Sequence, residues 1–290
     1  MPPRKPSPIG AHIFVGAGLL SATATGGLGY AREIGAEVIQ FFASNPRGWA
    51  PATGDPAADE AFRVVCAEGK LPVFVHAPYL VNFASPVETT RRRSVESVRA
   101  ALARSRRLGA RAVVVHAGSA VDGGRDAGLA RLRESLLPLL DALGDGDPAV
   151  LIEPTAGGGQ PLAATVAELA PYFAALDEHP RLGVCLDTCH AHAAGHDLAS
   201  PGGVRTLLTA LVKSVGRGRL QLVHANDSKD PLGSRRDRHT GIGTGRIGTD
   251  PFVELFRHPA TRNVPVIVET PGTAADHARD IALLKRLRDA

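Results

Sequence analysis

Short apolar runs rich in Val, Ile and Leu recur along the chain, with longer helix-like stretches between them. The runs predict strands near 12–16 (HIFVG), 38–43 (VIQFFA), 72–77 (PVFVHA) and 112–117 (AVVVHA). Four more fall near 149–154 (AVLIEP), 182–187 (LGVCLD), 220–225 (LQLVHA) and 264–270 (VPVIVET). Their hydrophobicity is continuous rather than alternating, as expected of strands covered on both faces in a parallel sheet. Helices are predicted over 88–108, 129–143, 166–176 and 204–215, most of them ending at a glycine. Alternating β and α segments with eight strands predict an α/β fold, a single TIM-like (β/α)₈ barrel. A basic, flexible segment is expected over 1–10 and the barrel domain over 11–290, with no linker or shift of composition to mark a second domain.

The polar residues that close these runs carry the chemistry. His76 closes the third strand, His116 the fourth, Glu153 the fifth, Asp187 the sixth, His224 the seventh and Glu269 the eighth. In a closed parallel barrel those ends meet on one rim, where barrel active sites are built. One histidine at a strand end is most often structural; six successive strands ending in metal-binding residues argue for a site. Just beyond them, Asp187-Thr-Cys-His190 puts a carboxylate and an imidazole on one tight turn. Asp237-Arg-His239 sends two ligand types from alternate positions of an extended loop. The set makes nine oxygen or nitrogen ligands. Imidazole mixed with carboxylate suits zinc, with manganese or iron as competitors. Nine ligands exceed one tetrahedral ion and suit two or three ions sharing a bridging carboxylate.

Several nearby residues compete for these roles. His190 and His192 rank equally by spacing. Cys185 and Cys189 flank Asp187, but Cys185 lies within an apolar strand, where a cysteine acts as a small hydrophobe. His12 starts the first predicted strand and is expected at the barrel floor or behind the site. The letters of 243–248 (GTGRIG) fit a dinucleotide fingerprint, yet they follow no strand of a βαβ unit and are expected to be tight turns. The arginines 91–93, 104, 106 and 107 are expected on solvated helix faces.

Composition narrows the class. The 290 residues are 44% hydrophobic and 21% charged, enough apolar content for a full core, and suit a barrel of roughly 250 residues. A formal charge of +4 favours an anionic partner only slightly, but carboxylates neutralised by metal would make the rim more positive than the total suggests. No apolar run reaches the roughly 20 residues that span a bilayer. Three cysteines, none in a Cys-x-x-Cys spacing, fit a reducing, cytoplasmic setting. Arg4, Lys5 and the apolar 9–20 imitate a signal peptide, but Pro8, Gly10, His12, Gly16 and Gly18 break the stretch.

The segments VHAPYLVNFASP (75–86), GVCLDTCHAHAAGHD (183–197), HANDSKDPLGSRRDRHTGIGTGRIG (224–248) and VIVETPG (266–272) resemble endonuclease IV, the second family of apurinic/apyrimidinic endonucleases. With the strand spacing, the resemblance covers nearly the whole chain. It implies a TIM barrel holding three zinc ions, with manganese or iron possible at one site. His76, His116 and Glu153 would hold one ion, with Glu153 bridging to a second. Asp187, His224 and Glu269 would complete the second, and His190, Asp237 and His239 would hold the third.

The family's activity would be hydrolysis of the phosphodiester 5′ to an abasic site in double-stranded DNA, by a monomer without an obligate protein partner. Bound zinc lowers the pKa of water to about 7, and Glu269, with Glu153 beside it, is expected to orient or deprotonate the attacking water. The family inserts side chains into the minor groove from loops after the second and third strands, which here resemble Arg47, Trp49, Tyr79 and Leu80. Asn226, Ser228, Lys229 and Arg238 are expected phosphate contacts. The chain departs from the family pattern at Ala117 (usually Pro), Pro154 (usually Asn) and Thr240, which bears on rate and substrate preference. Competing readings are a sugar isomerase or epimerase on a related metal-binding barrel, which leaves Asp237 and His239 without a task, and a non-catalytic protein that binds DNA lesions.

Overall fold

The computed structural model describes residues 6–290. In chain order the strands are β1 (Ile9–His12), β2 (Ile39–Phe42), β3 (Val73–His76), β4 (Ala112–His116), β5 (Ala149–Glu153), β6 (Leu182–Asp187) and β7 (Leu220–His224). After β7, β8 (Asp227–Ser228) and β9 (His239–Thr240) form a separate antiparallel ribbon, and β10 (Val266–Val268) follows. The eight strands outside the ribbon are parallel and close in the order β1-β10-β7-β6-β5-β4-β3-β2. Helices α1 (Gly27–Glu33), α2 (Pro56–Glu68), α3 (Glu88–Arg107), α4 (Arg125–Asp141) and α5 (Leu169–Ala175) follow the first five strands in turn. Next come α6 (Thr188–Ala193) and α7 (Gly203–Val215) after β6, then α8 (Asp250–Arg257) and α9 (Ala274–Asp289). The expected (β/α)₈ barrel is therefore present, with the catalytic-type rim at the C-terminal ends of the strands.

The first strand lies three residues earlier than the sequence pattern predicts. Ile9, Gly10 and Ala11 pair with Val266, Ile267 and Val268, whereas the larger apolar residues at 13–15 lie beyond the strand. Gly10 is required here, because a Cβ would stand 1.7 Å from the Val38 carbonyl oxygen of the neighbouring strand. The barrel thus begins before residue 11, and of the expected flexible segment residues 1–5 lie outside the described residues. Helix α4 likewise starts earlier than predicted, at Arg125, directly after Gly124, whose φ of +74° suits glycine. The segment predicted over 166–176 is a short 3₁₀ turn, Val166–Glu168, running into α5.

Along each strand successive side chains face opposite sides of the barrel wall. Val73, Val75, Val113, Val115, Val150 and Ile152 face outward and pack under the helices. Phe74, Val114, Leu151, Cys185, Leu222 and Ile267 face inward and fill the barrel with one another. That inner plug matters for function: it gives the rim a dry floor.

Helix α3 is fixed to the loop after β2 by charge. Asp59 on α2 is 1% exposed, and the guanidinium groups of Arg104 and Arg107 lie 3.2 and 3.0 Å from its two oxygens. Arg104 also donates to the Ala43 carbonyl at 2.6 Å. These two arginines are therefore not the solvated surface charges that the sequence suggests. Replacing both by Met leaves a buried carboxylate without a counter-charge, a change that costs about 3–5 kcal/mol in such settings. The Arg104→Met/Arg107→Met variant is expected to unfold at correspondingly lower urea; a loss below about 1 kcal/mol would show that the pair is not needed to hold Asp59.

Candidate metal centre

The inward parity of the barrel interior continues to the rim. Two residues beyond Phe74, Val114, Leu151, Cys185, Leu222 and Ile267 stand His76, His116, Glu153, Asp187, His224 and Glu269, the six expected ligands. The same rule places two residues that the sequence reading did not assign to the ring: Gln40, two beyond Val38, and His12, two beyond Gly10. His12 therefore ends β1 at the rim rather than standing at the floor, with its Nδ1 3.2 Å from Glu269 Oε1. Gln40 is fully buried; it donates to Glu269 Oε1 at 2.8 Å and accepts from His224 Nε2 at 3.0 Å. A single glutamine in an apolar run carries little signal by itself; the register of β2 would have found it.

Glu153 is the hub. Its two oxygens lie 3.2 Å from His76 Nε2, 3.5 Å from His116 Nε2, 3.3 Å from His190 Nδ1 and 3.0 Å from His224 Nδ1. His224 Nδ1 is also 3.2 Å from Glu269 Oε2. The loop residues close the other side: Asp237 reaches His190 Nε2 at 3.1 Å and His239 Nε2 at 2.9 Å, and His239 Nε2 is 3.6 Å from Asp187 Oδ2. Ligand atoms gather into groups within 4.8 Å of one another: His76 with His116 and Glu153; Glu153 with Asp187, His224 and Glu269; Asp187 with His190 and His239. His192, equal to His190 by spacing, joins none of them.

Hydrogen bonds fix which ring nitrogen is free. The Nδ1 groups of His76, His190 and His239 donate to the carbonyls of Ala77, Pro154 and Glu269 at 2.7, 3.1 and 3.3 Å, which makes Nε2 the nitrogen that each ring turns toward the centre. His224 is the reverse, because Gln40 takes its Nε2–H and turns Nδ1 inward. Histidines that bind metal are held this way by a carbonyl or side chain behind them. Pro154 supplies the carbonyl that orients His190.

The electrostatics fit a cation site. None of Glu153, Asp187, Asp237 and Glu269 pairs with a lysine or arginine among the described residues. Burial pushes the Asp187 carboxyl above its ordinary value. Burial opposes ionisation of Glu269 too, but His224 and His12 outweigh it and hold that carboxyl well below the usual range. Burial disfavours a charged His239, yet Asp187 and Asp237 carry its pKa up to about 9. His116, by contrast, is lowered to about 4 by burial. His239 Nε2 is buried and has no properly directed hydrogen-bond partner. An orphaned imidazole nitrogen facing under-compensated carboxylates is what a bound metal ion would satisfy. Two cysteines also come within reach of the centre, Cys185 beside Glu153 and His224 and Cys189 beside Asp237 and His239; burial pushes both thiols up to about 12, and Cys185 belongs to the inner plug.

Comparison with known proteins agrees with this geometry. The profile of a family described as a xylose isomerase-like TIM barrel matches residues 28–287. A protein of Streptomyces avermitilis described as a probable endonuclease 4 is 54% identical over 98% of this chain and 91% of its own length. The chain belongs to the endonuclease 4 family. Membership makes it a DNA-cleaving hydrolase. The solved structure of endonuclease IV from Thermus thermophilus is 34% identical, superposes with a TM-score of 0.82 and covers 99% of both chains. A D-tagatose 3-epimerase-like protein superposes with a TM-score of 0.73 over 91% of this chain at 21% identity, a likeness of fold alone.

The residues expected to touch DNA divide in this endonuclease 4 relative. Arg47, Tyr79 and Leu80 are exposed on the rim, and their loops are joined by the Tyr79 N–H to Pro46 carbonyl bond of 3.0 Å. The Tyr79 ring stands 5.8 Å from that of His116, and Trp49 is half-buried. Lys229 is exposed, and Arg238 is exposed but paired with Asp230 at 2.6 Å. Asn226 and Ser228 do not fit the expectation of phosphate contact, because both are fully buried. Ser228 bonds within its own turn, to the Asp230 backbone at 3.1 Å. Asn226 instead spans the centre: its amide donates to Asp187 Oδ2 at 2.7 Å and its carbonyl accepts the Glu269 N–H at 2.8 Å.

Neighbouring Asp227, unremarked in the sequence, gathers the backbone N–H groups of Gly243, Gly245 and Ile247 at 2.8–3.0 Å. The glycine-rich tract is thus a turn wrapped on a buried carboxylate, as expected, and it packs on the ribbon that carries His239. Removing the brace that Asn226 provides should loosen metal without dismantling the ligand set. Asn226→Leu, with an unchanged circular dichroism spectrum, is expected to weaken zinc retention against a chelator by roughly 10–100-fold; unchanged retention would show that Asn226 does not position Asp187 and Glu269.

Proposed function

We propose that the protein is a zinc-dependent repair nuclease that hydrolyses the phosphodiester 5′ to an abasic site in double-stranded DNA. The products are a 3′-hydroxyl and a 5′-deoxyribose phosphate, and the same centre trims blocked 3′ ends in base excision repair. The observation that carries the reading is the ring of nine oxygen and nitrogen ligands on an open barrel rim, braced from behind by Gln40 and Asn226. His76, His116 and Glu153 would hold one zinc, Glu153, Asp187, His224 and Glu269 a second, and His190, Asp237 and His239 a third. When bound, the ions supply Lewis acidity, which makes water nucleophilic near neutral pH and draws charge from the phosphate.

The protein's own part is positioning. Glu269 is ionised, held at one oxygen by Gln40 and His12, and faces the cleft that Tyr79, Asp237 and His239 also line, so it orients the attacking water and accepts its proton. Arg47, Trp49, Tyr79 and Leu80 reach the minor groove from two linked loops, while Lys229 contacts the backbone. Arg238 would do so only by exchanging Asp230 for a phosphate. An abasic nucleotide has no base to unstack and is cheaper to extrude than an intact one, which gives selectivity for the lesion.

The competing epimerase reading has support only from fold likeness, and it gives no task to the β8–β9 ribbon that brings Asp237 and His239 to the centre. The protein is read as acting alone in the cytoplasm; no helix of the described residues is long and apolar enough to cross a membrane.

The test is cleavage of a duplex oligonucleotide carrying one tetrahydrofuran abasic analogue, before and after prolonged chelation. A cut immediately 5′ to the analogue, abolished by chelation and restored by zinc, is the expected result; no cut by metal-loaded protein would overturn the proposal. Glu269→Gln is expected to keep most of its zinc while turnover falls by about 10²–10⁴-fold, the range for losing a proton-accepting group. Full activity in that variant would remove Glu269 from the mechanism.

A further inference from the structure

The loop after β1 presents a side chain that neither the metal centre nor the expected DNA contacts use. Phe14 is 74% exposed, more than Tyr79 at 53%. Its ring lies over Gly16, where a Cβ would stand 2.3 Å from the ring edge, so the absence of a side chain at 16 sets where the phenyl rests. Beside it a recess of about 720 Å³ is lined by His12, Phe14, Tyr30, Phe42, Pro46 and His277.

Two features say what this recess takes. It adjoins the cleft bounded by Tyr79, Asp237, His239 and Glu269, with His12 and Phe42 as the shared wall. Several of its polar groups are spent internally: the His277 ring bonds the Tyr30 hydroxyl and the Thr270 carbonyl, each at 2.7 Å, and the Asn45 side-chain oxygen accepts the Arg47 N–H at 2.9 Å, while Ser44 adds one hydroxyl to the wall. No lysine or arginine lines it, which disfavours a phosphate. Flat apolar faces with few free donors favour a planar, weakly polar group, and aromatic stacking of a base is tolerant of its identity.

Resting on the nuclease reading above, we infer that Phe14 and this recess stack a nucleobase of the bound duplex adjacent to the lesion, giving the rim a third point of hold besides the Arg47 and Tyr79 loops. Phe14 acts here as a binding residue and has no part in bond cleavage.

The test is a cycle that changes protein and DNA together. Wild type, Phe14→Ala and Phe14→Trp are compared on duplexes with one abasic analogue. They are compared again on duplexes in which the neighbouring base, on either side or opposite, is also removed. Phe14→Ala is expected to raise both Kd, read by fluorescence anisotropy, and KM on the order of tenfold, with kcat and zinc content unchanged. Phe14→Trp should retain wild-type affinity, and the penalty of Phe14→Ala should vanish when one of those bases is missing. An unchanged Kd, or a penalty that persists on every base-deleted duplex, would overturn the inference. Because Kd is read independently of cutting, wild-type protein that binds but does not cleave would overturn the nuclease reading while the cycle still decides the stacking.

Discussion

A carboxylate taken out of water must be compensated, and Glu153 is 1% exposed with no lysine or arginine beside it. Everything at the rim is arranged around that demand. Four imidazole nitrogens lie within 3.5 Å of its oxygens, and two more carboxylates, Asp237 and Glu269, share those imidazoles. Imidazoles alone hold Glu153 and Glu269 ionised against burial, which leaves two problems: buried rings must stay charged, and the Asp187 carboxyl is still pushed above its ordinary value. Divalent cations resolve both problems at once by replacing protons on the imidazoles and matching the carboxylate charge.

The barrel supplies the geometry with little local specialisation. Alternation along parallel strands carries every inward position from the apolar plug to the rim, so eight strands deliver eight inward side chains to one ring. What the strands do not deliver comes from their C-terminal loops: His190 from the turn that opens α6, and Asp237 and His239 from the ribbon. Those loop ligands need bracing, and the bracing is polar. Asp227 gathers the glycine-rich turn beneath the ribbon, and Asn226 ties Asp187 to the Glu269 backbone. These braces are buried and satisfied, which makes the centre a fixed template beside the exposed loops of Arg47 and Tyr79.

The fold and the ligands were legible in the sequence because both are written in strand periodicity and in the residues at strand ends. β1 was misread for a physical reason. Its true residues, IGAH, carry a weak apolar signal, since Gly10 must pass close to Val38 and Ala11 is small, whereas Ile13, Phe14 and Val15 look more like a strand and follow it. Gln40 and His12 escaped assignment because their roles depend on register across the barrel. Asn226 and Ser228 read as DNA contacts from their position after β7, but burial turns them inward to the site's own support. Arg104 and Arg107 read as surface charge because nothing in the helix announces that Asp59 lies beneath them.

The account stands on the claim that this rim is built to collect several metal ions. Native mass spectrometry of the folded protein, equilibrated with zinc and freed of loosely held metal, measures that directly. Three zinc ions per chain are expected, with the third lost selectively in a His239→Ala variant. A single ion, or none, retained by correctly folded protein would contradict the account.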